Sequence, residues 1–221
     1  MAELLTLGFS GDPARACPMT QVPVPETSAP GLASRLVEEG IASEAVVLSA
    51  GHLTELYLVA DDVFTAEALA LAELASWTGL DPASLADSAY ALEDDSAVAH
   101  LLRIAAGVGC PAPGIPPARE PIETAHRIAR DAGSAGPVLD RLFCDAMELA
   151  AGLPAGNEGA DCPGAPDELE VRRCERRVAC GVERFAAWRS ETLDGDIADR
   201  PTGGGESDAQ VVRLPRPGDA A

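Results

Sequence analysis

Residues 45–49 (AVVLS) and 54–59 (TELYLV) are two apolar, β-branched runs held apart by only Ala50-Gly51-His52-Leu53. No other feature restricts the fold as much, because runs of this kind around a short glycine-containing turn read as strands of a sheet. Residues 4–9 form another strand candidate, ending in Gly8-Phe9-Ser10, and a short strand is expected near Tyr90. Most of the remaining apolar residues recur at helical spacing. Residues 31–40 carry Leu32, Leu36 and Val37 at that spacing. Residues 64–77 align Ala68, Leu71, Ala72 and Ala75 with Phe64, which predicts an amphipathic helix with that stripe inward. Gly79-Leu80-Asp81-Pro82 stops it.

Asp94 and Asp95 suit the N-terminus of the next helix, which carries Val98, Leu101, Leu102 and Ala105. Pro111, Pro113, Pro116 and Pro117 then exclude an ordinary helix. Two further helices are expected over 120–131 and 137–152. The second has Pro137 in its first turn and Val138, Leu142, Ala146 and Leu149 on one face. A last helix over 167–189 carries Val171, Cys174, Val178, Val182, Phe185 and Trp188. Strands interleaved with helices, then helices alone, define an α+β class. The expected architecture is a small mixed sheet covered by helices, continuing into a long C-terminal helix. Residues 1–152 form the domain, 153–167 (LPAGNEGADCPGAPD) a polar linker, 168–190 the helix and 191–221 a disordered tail.

All 16 basic residues are arginine, against 36 acids, so the net charge is -20. That charge repels polyanions at long range, and neither free nucleic acid nor an anionic membrane is an expected partner. No run approaches the roughly 18–20 apolar residues of a membrane span. The N-terminus lacks the basic flank of a signal peptide, so the expected location is cytoplasmic. Cys17, Cys110, Cys144, Cys162, Cys174 and Cys180 are then reduced thiols. They show no paired C-x-x-C spacing, so no metal site is expected. His52 and His126 have no ligand spacing and are expected to face solvent. Residues 168–189 hold six arginines and four glutamates. Arg172, Arg173, Arg176 and Arg177 there read either as a solvated face with i,i+4 pairs or as a contact for phosphate or an acidic protein.

The order of these segments resembles one known family. IASEAVVLSAGHLTELY (41–57) is similar to the stretch of glutamyl-tRNA reductase that ends in S-T-C-N-R-T-E-x-Y. VAHLLRIAAGVG (98–109) resembles the family's helix RHLFRVAAGLD, and residues 127–149 resemble the stretch after its G-E-x-Q-I-L-G-Q motif. The likeness runs in order through residues 1–152, the family's N-terminal substrate-recognition domain. Residues 168–188 resemble the start of the spinal helix that leads to the family's dimerisation domain. Between the two, the family inserts an NADPH-binding domain. Here only residues 153–167 occupy that place, and no G-x-G-x-x-G follows a strand.

The resemblance implies a reaction: a cysteine thiolate attacks the aminoacyl ester of glutamyl-tRNA, and hydride from NADPH releases glutamate semialdehyde. Carried onto this sequence, the nucleophile position is Gly51, which has no side chain to attack with. His52 and Leu53 replace the motif's Asn and Arg, whereas Thr54, Glu55 and Tyr57 are retained. The family's S-H-R-T-A becomes Ser10-Gly11-Asp12-Pro13-Ala14. Its G-E-x-Q-I-L-G-Q becomes 114–121, with Ile115, Pro117 and Pro121 at the Glu and Gln positions. Ser10, His52, Thr54 and Glu55 are the candidate substrate contacts. The expectation is therefore a glutamyl-tRNA reductase-like protein of tetrapyrrole synthesis, inactive alone and without a cofactor of its own. It would bind an authentic reductase, or itself, through residues 168–189, and tight binding of free tRNA is not expected.

Two alternatives stand beside it. Cys110 with His100, which matches a family histidine, would make a substitute nucleophile, in an active glutamyl-tRNA reductase or acyl-transfer enzyme working with a separate NADPH-binding partner. Cys17-Pro18, Cys110-Pro111 and Cys162-Pro163 are Cys-Pro dipeptides of the kind found in heme regulatory motifs, so Cys17, Cys110 and Cys162 are candidate heme ligands.

Overall fold

The structure, a computed structural model, describes residues 2–10, 24–25, 27–50, 53–107, 119–152 and 168–193. Four strands, β1 (Glu3–Ser10), β2 (Glu44–Ala50), β3 (Leu53–Ala60) and β4 (Tyr90–Glu93), form one sheet in the order β2-β3-β1-β4. The α+β class expected from sequence is present. The sheet, expected to be mixed, is antiparallel at each of its three pairings. The reason is topological: β3 and β4 run parallel to one another, but β1 is inserted between them and is antiparallel to both. The unit β3–helices–β4 is thus a split crossover.

Helices cover both faces, which is why β3 is buried along nearly its whole length and reads as a continuous run rather than an alternating one. On one face α1 (Ala29–Glu38), α2 (Val63–Thr78) and α3 (Pro82–Ser88) pack Leu32, Leu36, Ala70, Leu74 and Leu85 against Leu5, Leu7, Leu56 and Leu58. On the other, α4 (Asp94–Ala105), α5 (Arg119–Asp131), α6 (Pro137–Ala151) and α7 (Glu168–Leu193) enclose Leu4, Val46, Leu48, Tyr57 and Val59. The faces anticipated for α4 and α6 are the buried ones: Val98, Leu101, Leu102, Val138, Leu142, Ala146 and Leu149 all lie in the core.

Three expectations need correction. The inward face of α2 is Val63, Ala66, Ala70, Leu71, Leu74 and Ala75, whereas Phe64 is 77% exposed and Ala68 and Ala72 are also exposed. This helix is apolar almost all round, so periodicity cannot select its face, and the pleat of β1 and the position of α1 do. α3 was not anticipated. Asp81 accepts from the Ser84 amide as N-cap and Pro82 opens the first turn, so the residues that end α2 also start a new helix. His126, expected at the surface, is 5% exposed. Its ring stacks on Phe143 at 5.7 Å and its Nε2 lies 2.7 Å from Asp140 Oδ1.

α7 lies against α4 and α6, burying Val178 and Phe185. It runs to Leu193, beyond the helix limit read from sequence. A Cβ on Gly181 would lie 2.7 Å from Leu102 Cδ1, so glycine permits the close approach to α4. Arg103 pairs with Glu175 at 3.2 Å and Arg177 donates to the Gly152 carbonyl at 2.7 Å. At the far end Arg189 reaches Asp94 Oδ1 at 2.5 Å, and the same oxygen accepts from the Leu4 amide at 3.2 Å. Asp94 joins β4 to α4 with φ +44°, in the left-handed region that aspartate tolerates better than most residues.

A second long-range contact fixes α6. The buried carboxylate of Glu44 accepts from the amides of Val138 at 3.1 Å and Leu139 at 2.7 Å, capping a helix that has no side-chain cap of its own. A Cβ on Gly136 would lie 2.6 Å from the Glu44 carboxyl. Burial raises the Glu44 pKa, and the backbone donors of Leu139, Val138 and Gly136 oppose that shift.

Candidate functional site

The retained polar residues meet on the α4 side of the sheet. Glu55, on β3, is completely buried. It faces Gly8 of β1, and Gly8 faces Tyr90 of β4, so the three form one row across the sheet. With no side chain on Gly8, the Tyr90 ring lies over β1, and a Cβ placed there would clash with its hydroxyl end, 2.0 Å from Cζ. Tyr90 can therefore reach a carboxylate two strands away. Its hydroxyl donates to Glu55 Oε1.

His100, on α4, directs Nε2 to the same oxygen at 2.5 Å, and Tyr57 donates its hydroxyl to Glu55 Oε2 at 2.5 Å. Tyr90 and His100 also touch, with 3.2 Å between hydroxyl and Nε2 and ring centroids 5.6 Å apart. A buried carboxylate without donors costs several kcal/mol; here three donors converge on it. Burial, then the adjacent Glu55 carboxyl, push the Tyr57 hydroxyl well above its ordinary value, so Tyr57 is a donor at neutral pH. Tyr57 in turn meets Phe143 edge-on at 5.3 Å, which ties the cluster to α6. Because Glu55 accepts from Nε2, Nδ1 is the His100 nitrogen outside this network.

Of the candidates from sequence, Glu55 and His100 are thus brought together. Thr54 is buried as well, but strand alternation turns its side chain to the opposite face of the sheet from Glu55. Ser10 ends β1, paired with Leu53. Gly51, His52, Cys17, Cys110 and Cys162 lie outside the described residues. Sequence reading missed the part played by Gly8 and Tyr90, although a glycine inside a strand is a known sign of close approach by another group.

Among the described residues no three His, Cys, Asp or Glu side chains converge as metal ligands would. No described helix is long and apolar enough to cross a membrane. Among the described residues no two hydrogen-bonded strands are parallel, whereas a doubly wound dinucleotide fold places its crevice at the ends of parallel strands.

The fold and this cluster define a small α+β domain with a polar cluster gathered on the buried Glu55. Residues 11–153 match the family described as Glutamyl-tRNAGlu reductase, N-terminal domain, and the chain belongs to that family. It is 44% identical over 100 residues to the glutamyl-tRNA reductase of Stutzerimonas stutzeri (strain A1501), covering 45% of this chain and 23% of that one. To the enzyme of Pseudomonas fluorescens (strain SBW25) it is 38% identical over 100 residues, with the same coverage. Its fold is similar to that of glutamyl-tRNA reductase from Methanopyrus kandleri, with a TM-score of 0.53 at 20% identity, covering 68% of this chain and 34% of that one. The chain thus spans about a quarter of the length of the curated relatives it matches.

Proposed function

We propose that this chain serves tetrapyrrole synthesis as a binding homologue of glutamyl-tRNA reductase, without reductase activity of its own. One observation carries the reading: two of the three motif residues this chain keeps, Glu55 and Tyr57, are joined to each other and to His100 inside the fold. Their retention is accounted for by the scaffold. The position of the attacking thiolate is Gly51, and no group there can form a thioester. The domain then acts by contact, with an authentic reductase or a second copy through residues 168–189, or with a glutamyl-derived ligand. Purified chain is assayed for glutamate semialdehyde from glutamyl-tRNA and NADPH, with and without an authentic reductase. The expected result is no product alone and a changed rate in the mixture. Product from the chain alone overturns the reading.

A second reading rests on the contact of His100 Nε2 with Glu55 Oε1 at 2.5 Å, the kind of contact by which an acid orients the imidazole that serves a thiol nucleophile. Selective alkylation of Cys110 by a glutamyl-type electrophile, lost in His100→Ala, is its test. Uniform labelling of all six cysteines removes it.

A further inference from the structure

Three large apolar side chains stand exposed among the described residues, and all belong to α2: Phe64 at 77%, Leu69 at 46% and Trp77 at 41%. Ala68, Ala72 and Ser76 of the same helix are exposed too, so α2 presents an uncharged outward strip. Its surroundings are acidic. Residues 61–89 hold Asp61, Asp62, Glu67, Glu73, Asp81 and Asp87 and no basic residue, and the cation that reaches them, Arg35 of α1, is taken by Glu73 at 2.6 Å. A largely apolar strip with an acidic rim fits a short segment that is both apolar and cationic. A second α2 is a poor occupant, since two acidic rims would then meet.

The chain itself contains such a segment. Residues 211–216, VVRLPR, combine Val211, Val212 and Leu214 with Arg213 and Arg216. Apart from 194–221, no stretch outside the described residues holds two arginines. The path is short. Arg189, one turn before the end of α7, is held by Asp94, which also binds the Leu4 amide. Leu4 faces Val59 in register, and α2 starts at Val63. The end of α7 and the start of α2 therefore share one end of the sheet. Residues 194–210 span up to about 60 Å when extended and about 23 Å as a coil.

We propose that residues 211–216 dock on the outward face of α2 in the same chain, with the aliphatic side chains on Phe64 and Leu69 and the arginines among the rim acids. Tethering makes a weak contact sufficient. At an effective concentration on the order of 1 mM, a contact with a free Kd of about 0.3 mM is closed roughly three-quarters of the time.

Hydroxyl-radical footprinting of Phe64 tests this, with buried Phe185 as the control for folding. The full chain is compared with a chain ending at Gln210 and with Arg213→Glu/Arg216→Glu. Phe64 labelling is expected to rise about fourfold in both variants, in keeping with three-quarters occupancy, while Phe185 stays protected. Equal labelling in the full and shortened chains overturns the proposal. A rise on shortening without any response to charge reversal also overturns it. Protection of the full chain that fades on dilution assigns the strip to the tail of a second copy and overturns the intramolecular contact.

Discussion

The ring of Tyr90 occupies the space that a side chain on Gly8 would need. This relationship governs the whole polar cluster, because Tyr90 must cross β1 to donate to Glu55. Gly8→Ala is expected to displace the ring and cost about 1–3 kcal/mol, the usual range for overpacking. Removing the ring as well should recover part of that loss, so Gly8→Ala/Tyr90→Ala should be less than additive. Urea denaturation of the two single variants and the double variant checks the sign of the coupling.

Tyr57→Phe keeps the ring against Phe143 but leaves Glu55 Oε2 without its donor. A loss of about 1–3 kcal/mol is expected. The hydroxyl's raised pKa gives a second signature. Its contribution to stability is fully present below the ordinary tyrosine value of 10.0 and is lost as pH rises from there through the folded value, because the unfolded chain ionises first. Tyr57→Phe should therefore show a shallower alkaline decline in denaturation midpoint than the parent.

Glu44 provides a test at acid pH. Its folded pKa is raised above 4.5, so the folded state favours the protonated carboxyl. That contribution is present below 4.5 and is lost as pH rises through the folded value. Glu44→Gln should flatten this part of the stability profile, whereas Glu44→Ala should lower stability at every pH by about 1–3 kcal/mol, because Val138 and Leu139 lose their acceptor. Thermal melts by circular dichroism between acid and neutral pH separate the two variants.

Asp94 links three elements through one oxygen. Asp94→Ala should free the end of α7, unbind the Leu4 amide and place alanine at φ +44°. Asp94→Asn keeps an acceptor and a side chain tolerant of that region, so it should cost less. Amide hydrogen exchange along 185–193 should quicken in both, and more in the alanine variant.

Much of the layout was legible from sequence because α4 and α6 carry narrow apolar faces between polar ones, a pattern that specifies one orientation. α2 lacks that contrast, and its stripe was misplaced for that reason. His126 shares its spacing with Ile122, Ala125 and Ala129, all buried, so the helical pattern pointed inward although the residue type did not. The carboxylates are a different case. Nothing near Glu44 in the chain indicates that its donors sit at residues 138 and 139, and nothing near Glu55 indicates His100. Such pairings are set by topology, which a single sequence encodes only through the complete fold.

The central position of β1 has a consequence for synthesis. This strand leaves the ribosome before either of its partners, which end at residues 60 and 93, so it waits with both edges open until they follow. Long-range pairing of this kind slows folding and exposes strand edges in the meantime. A nascent chain halted before Tyr90 would hold β1 with one edge unpaired, an adhesive surface for other nascent chains and a natural point of engagement for chaperones.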